Sequence, residues 1–224
     1  MTGDELLREV VRDLREYQSR MVFTGGLVLV LYLERKPAFR IRPTDDADAV
    51  VACMNHREYV ALQTELGRIG VRHLEGDSDA PMCRMRTASG HLLDLMPWDP
   101  MVLGFGNRWF RQGYENAISR SIGDGLDIRI FTPPLYAAAK AEAFRDRGKD
   151  DPWSSHDLED FLTLVACRPS LPSEILKVDD ELQGYLRTFA AELLNLPRFD
   201  EMVSGHVGEM AERTIAGLEK MATS

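Results

Sequence analysis

The chain reads as an α+β protein, with a mixed sheet flanked by helices over residues 1–132 and a helical bundle over residues 133–224. Three observations lead there. Before residue 132, short runs of strand length at 21–24, 46–53, 82–87, 91–96 and 126–131 alternate with helical periodicities and glycine turns. After Pro133 only helical spacing is found, over 135–147, 155–167, 172–196 and 199–221, with Pro169, Pro172 and Pro197 between the runs. A composition of 44% hydrophobic and 28% charged residues over 224 positions supplies a sizeable core and excludes a disordered or fibrous chain.

Each element has a local cause. Leu7, Val10, Val11, Leu14 and Tyr17 recur at helical spacing behind Asp4, which predicts an opening helix of about twenty residues capped at Asp4. The strand at 21–24 is broken by Gly25-Gly26, and 27–34 follows as a buried helix. A basic loop then carries Arg35, Lys36, Arg40 and Arg42. Residues 46–53 alternate before turning apolar, as in a strand buried at its far end, and the helix expected over 56–69 stops at Gly70. The runs 82–87 and 91–96 form a hairpin around Ala88-Ser89-Gly90, closed by Pro97 and Pro100. A short helix over 108–117 and a strand over 126–131, after Gly123-Asp124-Gly125, complete the first domain.

Charge and cysteine usage narrow the class. With 27 basic against 36 acidic residues the formal net charge is −9, which opposes non-specific coating of nucleic acid but leaves room for a local basic cleft. Cys53, Cys83 and Cys167 are odd in number and lack zinc-site spacing, which fits a reduced, cytoplasmic setting. The apolar run 21–33 is shorter than the ~20 residues a membrane span needs. The first residues also lack the basic and apolar regions of a secretory signal.

The chemistry concentrates in two groups of residues. Asp46 and Asp48, two apart on a strand, point to one face, where their charges repel unless a cation lies between them. Mg²⁺ is the hard cation such oxygens hold, usually with help from substrate phosphates. A bare Asp-x-Asp is more often an exposed strand end, so the surroundings decide. Those surroundings are the Gly25-Gly26 turn, suited to phosphates at a helix start, and Asp94, placed among apolar neighbours in Leu92-Leu93-Asp94-Leu95-Met96. Three strand-borne aspartates are suited to hold the ions of a phosphoryl-transfer centre.

The second group lies on the helix over 135–147, where Tyr136, Lys140, Phe144 and Arg147 share a face and the surrounding alanines imply close packing. A lysine packed this way needs an anion, and Ser154-Ser155-His156-Asp157-Leu158-Glu159-Asp160 offers several. Ser154 and Asp157 have capping-box spacing, so Asp157 has a second role open to it, and Asp160 is expected on a neighbouring face. His156 reads as a first-turn surface residue, and no Ser/His/Asp or Cys/His arrangement is visible.

Together these pieces resemble the AbiEii/AbiGii-type nucleotidyltransferase toxins, which include the MenT-like proteins, within the DNA polymerase beta-like nucleotidyltransferase superfamily. The matching residues are Phe23-Thr24-Gly25-Gly26, Arg42-Pro43-Thr44-Asp45-Asp46-Ala47-Asp48, Leu93-Asp94-Leu95, and Lys140, Arg147, Asp157 and Asp160. The resemblance implies a polymerase-beta-like nucleotidyltransferase domain over 1–132 and a helical domain over 133–224 that contributes to the nucleotide cleft. It implies Mg²⁺, or Mn²⁺ in its place, on Asp46, Asp48 and Asp94. Thr24, Gly25, Gly26, Arg42, Lys140 and Arg147 would bind the NTP, and Asp157 would position Lys140. Leu27 stands where Ser or Thr is usual, and Ala47 and Ala49 where larger apolar residues are usual.

The expected activity is transfer of NMP from an NTP to an acceptor hydroxyl, by the resemblance an RNA such as a tRNA 3′ end. The chain would then be the toxin of a toxin–antitoxin pair with a cognate antitoxin protein as partner. Arg108, Arg111, Arg120 and the basic run 35–42 suit RNA. The acidic stretch 179–224 suits a cationic, aminoglycoside-like small acceptor, and a non-catalytic scaffold that binds a nucleotide or a partner protein is the reading from another class.

Overall fold

The structure, a computed structural model, describes residues 2–74 and 81–223. The chain divides into two compact units, Met1–Val28 with Pro43–Thr132, and Leu29–Arg42 with Pro133–Ser224.

The first unit is built on a seven-stranded mixed sheet. Helix α1 (Gly3–Leu14) is capped by Thr2 rather than Asp4: the Thr2 hydroxyl accepts the Glu5 N–H at 3.3 Å and the Glu5 carboxylate accepts the Thr2 N–H at 2.7 Å. Its buried stripe is Leu6, Leu7, Val10, Val11 and Leu14, and the expected twenty-residue helix ends early because Arg15 turns to positive φ and a 3-10 helix, Arg15–Arg20, follows. The strands are β1 (Met21–Thr24), β2 (Asp46–Val51), β3 (Arg72–His73), β4 (Arg84–Arg86), β5 (Leu92–Pro97), β6 (Ile118–Ser121) and β7 (Asp127–Ile130). Their order across the sheet is β3-β4-β5-β2-β1-β7-β6. Helix α2 (His56–Gly67), capped by Asn55, and helix α3 (Phe110–Glu115) belong to the same unit.

Two strands were not foreseen. β3 is two exposed residues with no apolar signal, and Ile-Ser-Arg-Ser in β6 carries a single hydrophobic side chain that helical spacing over 108–117 obscures. Pairing with β7 makes β6 a strand, through a turn in which Gly123, Asp124 and Gly125 all take positive φ. The helix foreseen over 27–34 is a 3-10 helix, Gly26–Tyr32.

The second unit is helical: α4 (Pro133–Ala143), α5 (His156–Cys167), α6 (Leu171–Ile175), α7 (Asp180–Leu194), α8 (Phe199–Val207) and α9 (Ala211–Thr223). The single helices expected over 172–196 and 199–221 are each broken, the first between α6 and α7 and the second at Gly208, whose φ is 53°. Buried Ala137, Ala138, Ala139 and Ala141 give α4 its close packing. A Cβ at Gly217 of α9 would stand 2.8 Å from Cγ1 of Val165 in α5, so these helices meet at near-backbone distance. The segment 29–42 is tied into this unit. The Glu34 and Arg35 N–H groups both donate to the Cys167 carbonyl at 3.0 Å, and Arg168 donates to the Tyr32 carbonyl at 2.6 Å. The Tyr32 and Tyr136 rings lie 4.6 Å apart. Among the described residues no helix is long and apolar enough to cross a membrane.

Candidate active site

The acids of the first unit are brought together by strand register. β2 and β5 run parallel with Asp48 beside Asp94, and β1 runs antiparallel to β2 with Thr24 opposite Asp48. Side chains alternate across the sheet, so Ala47 and Ala49 are buried on one face while Asp46 and Asp48 lie half-buried on the other. Asp94 follows the same rule between buried Leu93 and Leu95. Ala47 and Ala49 thus serve the opposite, packed face, and their small size leaves the acids in place.

Gly25 shapes the space beside them. It has φ 75°, and a Cβ there would fall 1.8 Å from Oδ2 of Asp48, far inside van der Waals contact. Only glycine lets the turn after β1 pass so near this carboxylate. Thr24 is buried immediately before it, and Gly26 opens the 3-10 helix.

One residue of this cluster was missed. Arg84 of β4 pairs directly with Asp94 and donates to it twice, Nε to Oδ1 at 2.8 Å and Nη2 to Oδ2 at 2.7 Å. Its Nη2 also donates to Oδ2 of Asp46 at 2.9 Å. The signal was present in the hairpin itself. Counting three residues back from Thr87 and three forward from His91 sets Arg84 opposite Asp94, and the Thr87 N–H donates to the His91 carbonyl at 2.8 Å. Hydrogen bonding to Asp94 raises the Arg84 pKa above its already high ordinary value, so the guanidinium is permanently charged.

The cations of the second unit converge on two acids of α5. Lys140 of α4 lies 3.2 Å from Asp157 Oδ1 and 2.6 Å from Asp160 Oδ2. Both acids therefore meet the lysine, Asp160 from one turn further along α5 than Asp157. Arg147 Nε donates to Asp157 Oδ2 at 2.8 Å, and Arg42 approaches Asp160 at 3.9 Å and Glu159 at 3.7 Å. Asp157 does not cap α5: Ser155 does, accepting the Leu158 N–H at 3.3 Å. Burial alone would raise the Asp157 carboxyl, but the Lys140 charge and the Arg147 hydrogen bond outweigh it and hold the carboxyl below its usual range. The α4 helix widens into a π-turn, Phe144–Gly148, just before this cap. Gly148 is required there, because a Cβ would stand 2.3 Å from the Ser155 Oγ.

Other nucleophiles are poor candidates. Burial pushes the Cys53 and Cys83 thiols up to about 11, far from the thiolate range, and His156 is exposed in the first turn of α5.

The structure is similar over 92% of its length to 93% of an antigenic nucleotidyltransferase-like protein from Paracoccidioides brasiliensis, with a TM-score of 0.50 and 15% identity. The fold is nucleotidyltransferase-like. Lower-scoring similarity is found to the antibiotic-resistance factor ANT(2'')-Ia. In solution that protein gives a TM-score of 0.49 at 17% identity, over 85% of this chain and 94% of that one. In complex with adenylyl-2"-tobramycin it gives 0.47 at 16% identity, over 86% and 99%. The sequence matches no protein-family model and no curated protein sequence.

Within this fold, Asp46, Asp48, Asp94, Thr24, Gly25 and Gly26 belong to the sheet unit, and Lys140, Arg147, Arg42, Asp157 and Asp160 to the helical unit. Among the described residues no three of His, Cys, Asp and Glu are set to enclose a metal ion by themselves. Mg²⁺ asks for less than a protein cage, since one or two carboxylates plus phosphate oxygens and waters suffice. The donor set fits that demand: hard carboxylate oxygens share one face, and three of them, from Asp46 and Asp94, already hold a cation in the form of Arg84.

Proposed function

We propose that the chain is a Mg²⁺-dependent nucleotidyltransferase that moves NMP from an NTP to an acceptor hydroxyl of RNA, such as a tRNA 3′ end. In the same reading it is the toxin of a toxin–antitoxin pair. The observation that carries the chemistry is the register that sets Asp46, Asp48 and Asp94 on one sheet face beside a turn stripped of side chain at Gly25.

Asp46 and Asp48, with Asp94 as the third acid, would hold the metal. When bound, Mg²⁺ or Mn²⁺ supplies charge neutralisation for the triphosphate and acidifies the attacking hydroxyl. Gly25 and Gly26 let the backbone come close to phosphate oxygens, and Thr24 fixes the strand end from which they project. A carboxylate oxygen of the trio takes the hydroxyl proton as the acceptor oxygen bonds to the α-phosphorus, and pyrophosphate departs with the electrons of the broken P–O bond. Lys140, Arg147 and Arg42 would bind the phosphates of the NTP, with Asp157 positioning Lys140. RNA is supported as acceptor by exposed Arg108 and Arg111, whose guanidinium carbons lie 4.9 Å and 5.3 Å from the ring centres of Trp109 and Trp98.

The test is incubation of the protein with each α-labelled NTP, Mg²⁺ or Mn²⁺ and total RNA, followed by separation of RNA from small molecules. Label is expected in RNA and is expected to vanish with Asp46→Ala and Asp48→Ala. Label confined to the small-molecule fraction would replace RNA by a small hydroxylated acceptor, and unchanged transfer by both variants would overturn the mechanism.

A further inference from the structure

Three aspartates on one face of adjacent strands set like charges side by side, and Arg84 is a built-in cation that answers two of them, Asp46 and Asp94. Arg84 is placed for this by backbone register, opposite Asp94 across the β4–β5 pair, and not by a flexible loop. It engages Asp94 through two parallel hydrogen bonds and reaches across to Asp46 with the same Nη2. The fork geometry gives this bridge more strength and direction than a lysine would, and it consumes both oxygens of Asp94 and one of Asp46. Those are oxygens the proposed metal would need.

We propose that Arg84 is the resting counter-ion of the acidic cluster, a tethered cation that a divalent metal must displace, so that Arg84 keeps metal affinity low until a nucleotide arrives. The inference rests on the metal-dependent reading given above. Its physical basis is competition: a guanidinium and Mg²⁺ cannot both occupy the space between Asp46 and Asp94, and each is repelled by the other's charge. An NTP resolves the competition by bringing its own phosphate oxygens, which complete the metal's ligands and offer the released guanidinium a new anion. Arg84 in this role is a positioning residue, acting on the cluster through Asp46 and Asp94.

The role predicts a gain where a purely structural ion pair predicts only loss. Mn²⁺ affinity would be measured by paramagnetic resonance in the absence of nucleotide, for the wild type, Arg84→Met and Arg84→Lys. A neighbouring charge changes a carboxylate's affinity for a proton by about one to three powers of ten, so removing Arg84 is expected to tighten Mn²⁺ binding at least ~10-fold. Arg84→Lys, which keeps the charge and loses the fork, should fall between. Added non-hydrolysable NTP should shrink the gap between wild type and Arg84→Met.

The wild type gives a second readout that needs no variant. The Arg84 Nε proton, donated to Asp94, should show a slowly exchanging NMR signal that is lost on saturation with Mg²⁺ and nucleotide. Equal Mn²⁺ affinity in wild type and Arg84→Met, or an Nε signal unmoved by saturating metal and nucleotide, overturns the counter-ion role and leaves the metal site standing. Failure of every form to bind Mn²⁺ with or without nucleotide overturns the metal-dependent reading as well.

Discussion

Gly25 and Asp48 occupy space that only one of them can fill: the first carbon of any side chain at position 25 would coincide with the Asp48 carboxylate, 1.8 Å from its Oδ2. The pairing of Thr24 with Asp48 across β1 and β2 fixes this proximity, so neither residue can retreat without breaking the sheet.

Gly25→Ala is therefore expected to lower stability by ~2 kcal/mol or more, through the clash and through a φ of 75° that alanine tolerates poorly. Urea unfolding measures it. Gly90→Ala, also at positive φ but in open space, should be milder.

Asp48→Asn keeps the shape that packs against Gly25 and removes one charge. Label transfer should fall by about 10²–10³-fold, the scale found when a stabilising electrostatic contact at a reacting centre is lost. Asp45→Asn, exposed and just outside β2, should leave transfer intact, which separates the cluster from general acidity.

Lys140→Met removes the cation that two buried acids share, leaving Asp157 with Arg147 and Asp160 with Arg42 at 3.9 Å. The side chains of Asp157 and Asp160 are 7% and 4% exposed, and Lys140 lies within salt-bridge distance of both. A loss of about 3–5 kcal/mol is expected, as for other broken buried ion pairs. Arg147→Ala, at a side chain 70% exposed, should stay within ~1 kcal/mol in the same urea titration.

Acid should weaken the fold partly through Asp157. Burial pushes this carboxyl up, but Lys140 and Arg147 pull it further down, leaving it below its ordinary value in the folded state. The folded form then binds fewer protons than the unfolded one. The stabilisation is complete above the ordinary carboxylate range of about 4 and is lost as pH falls through the depressed value. Asp157→Asn should accordingly show a smaller loss of stability between neutral pH and pH ~3 than the wild type, read from unfolding midpoints.

Alternation made much of this fold legible. Asp46-Ala47-Asp48-Ala49 and Leu93-Asp94-Leu95 announce which face is buried, and the register of β2 on β5 follows from both wanting their apolar residues on the same side. Arg84 was hidden because a single arginine in a short strand carries no periodic signal, and its meaning lies in the partner across the hairpin. β6 was hidden for a similar reason, its pairing with β7 outweighing a weak sequence preference. In the helical unit, the spacing of Lys140 and Arg147 showed a shared face. That Asp157 and Asp160 both meet it depends on the α4–α5 packing angle, which no local pattern encodes.

The assignment of Leu29–Arg42 to the helical unit means that the chain crosses between its two units three times, after Val28, Arg42 and Thr132. No single cut can separate them. A fragment ending at Thr132 would carry away the stretch whose Glu34 and Arg35 amides bond to Cys167, and a fragment beginning at Pro133 would lack it. Splitting such a protein into independently produced halves, or exchanging its helical part by fusion at residue 133, would leave the helical piece incomplete and the sheet piece burdened with a foreign stretch unless 29–42 travels with the helices as a separate graft.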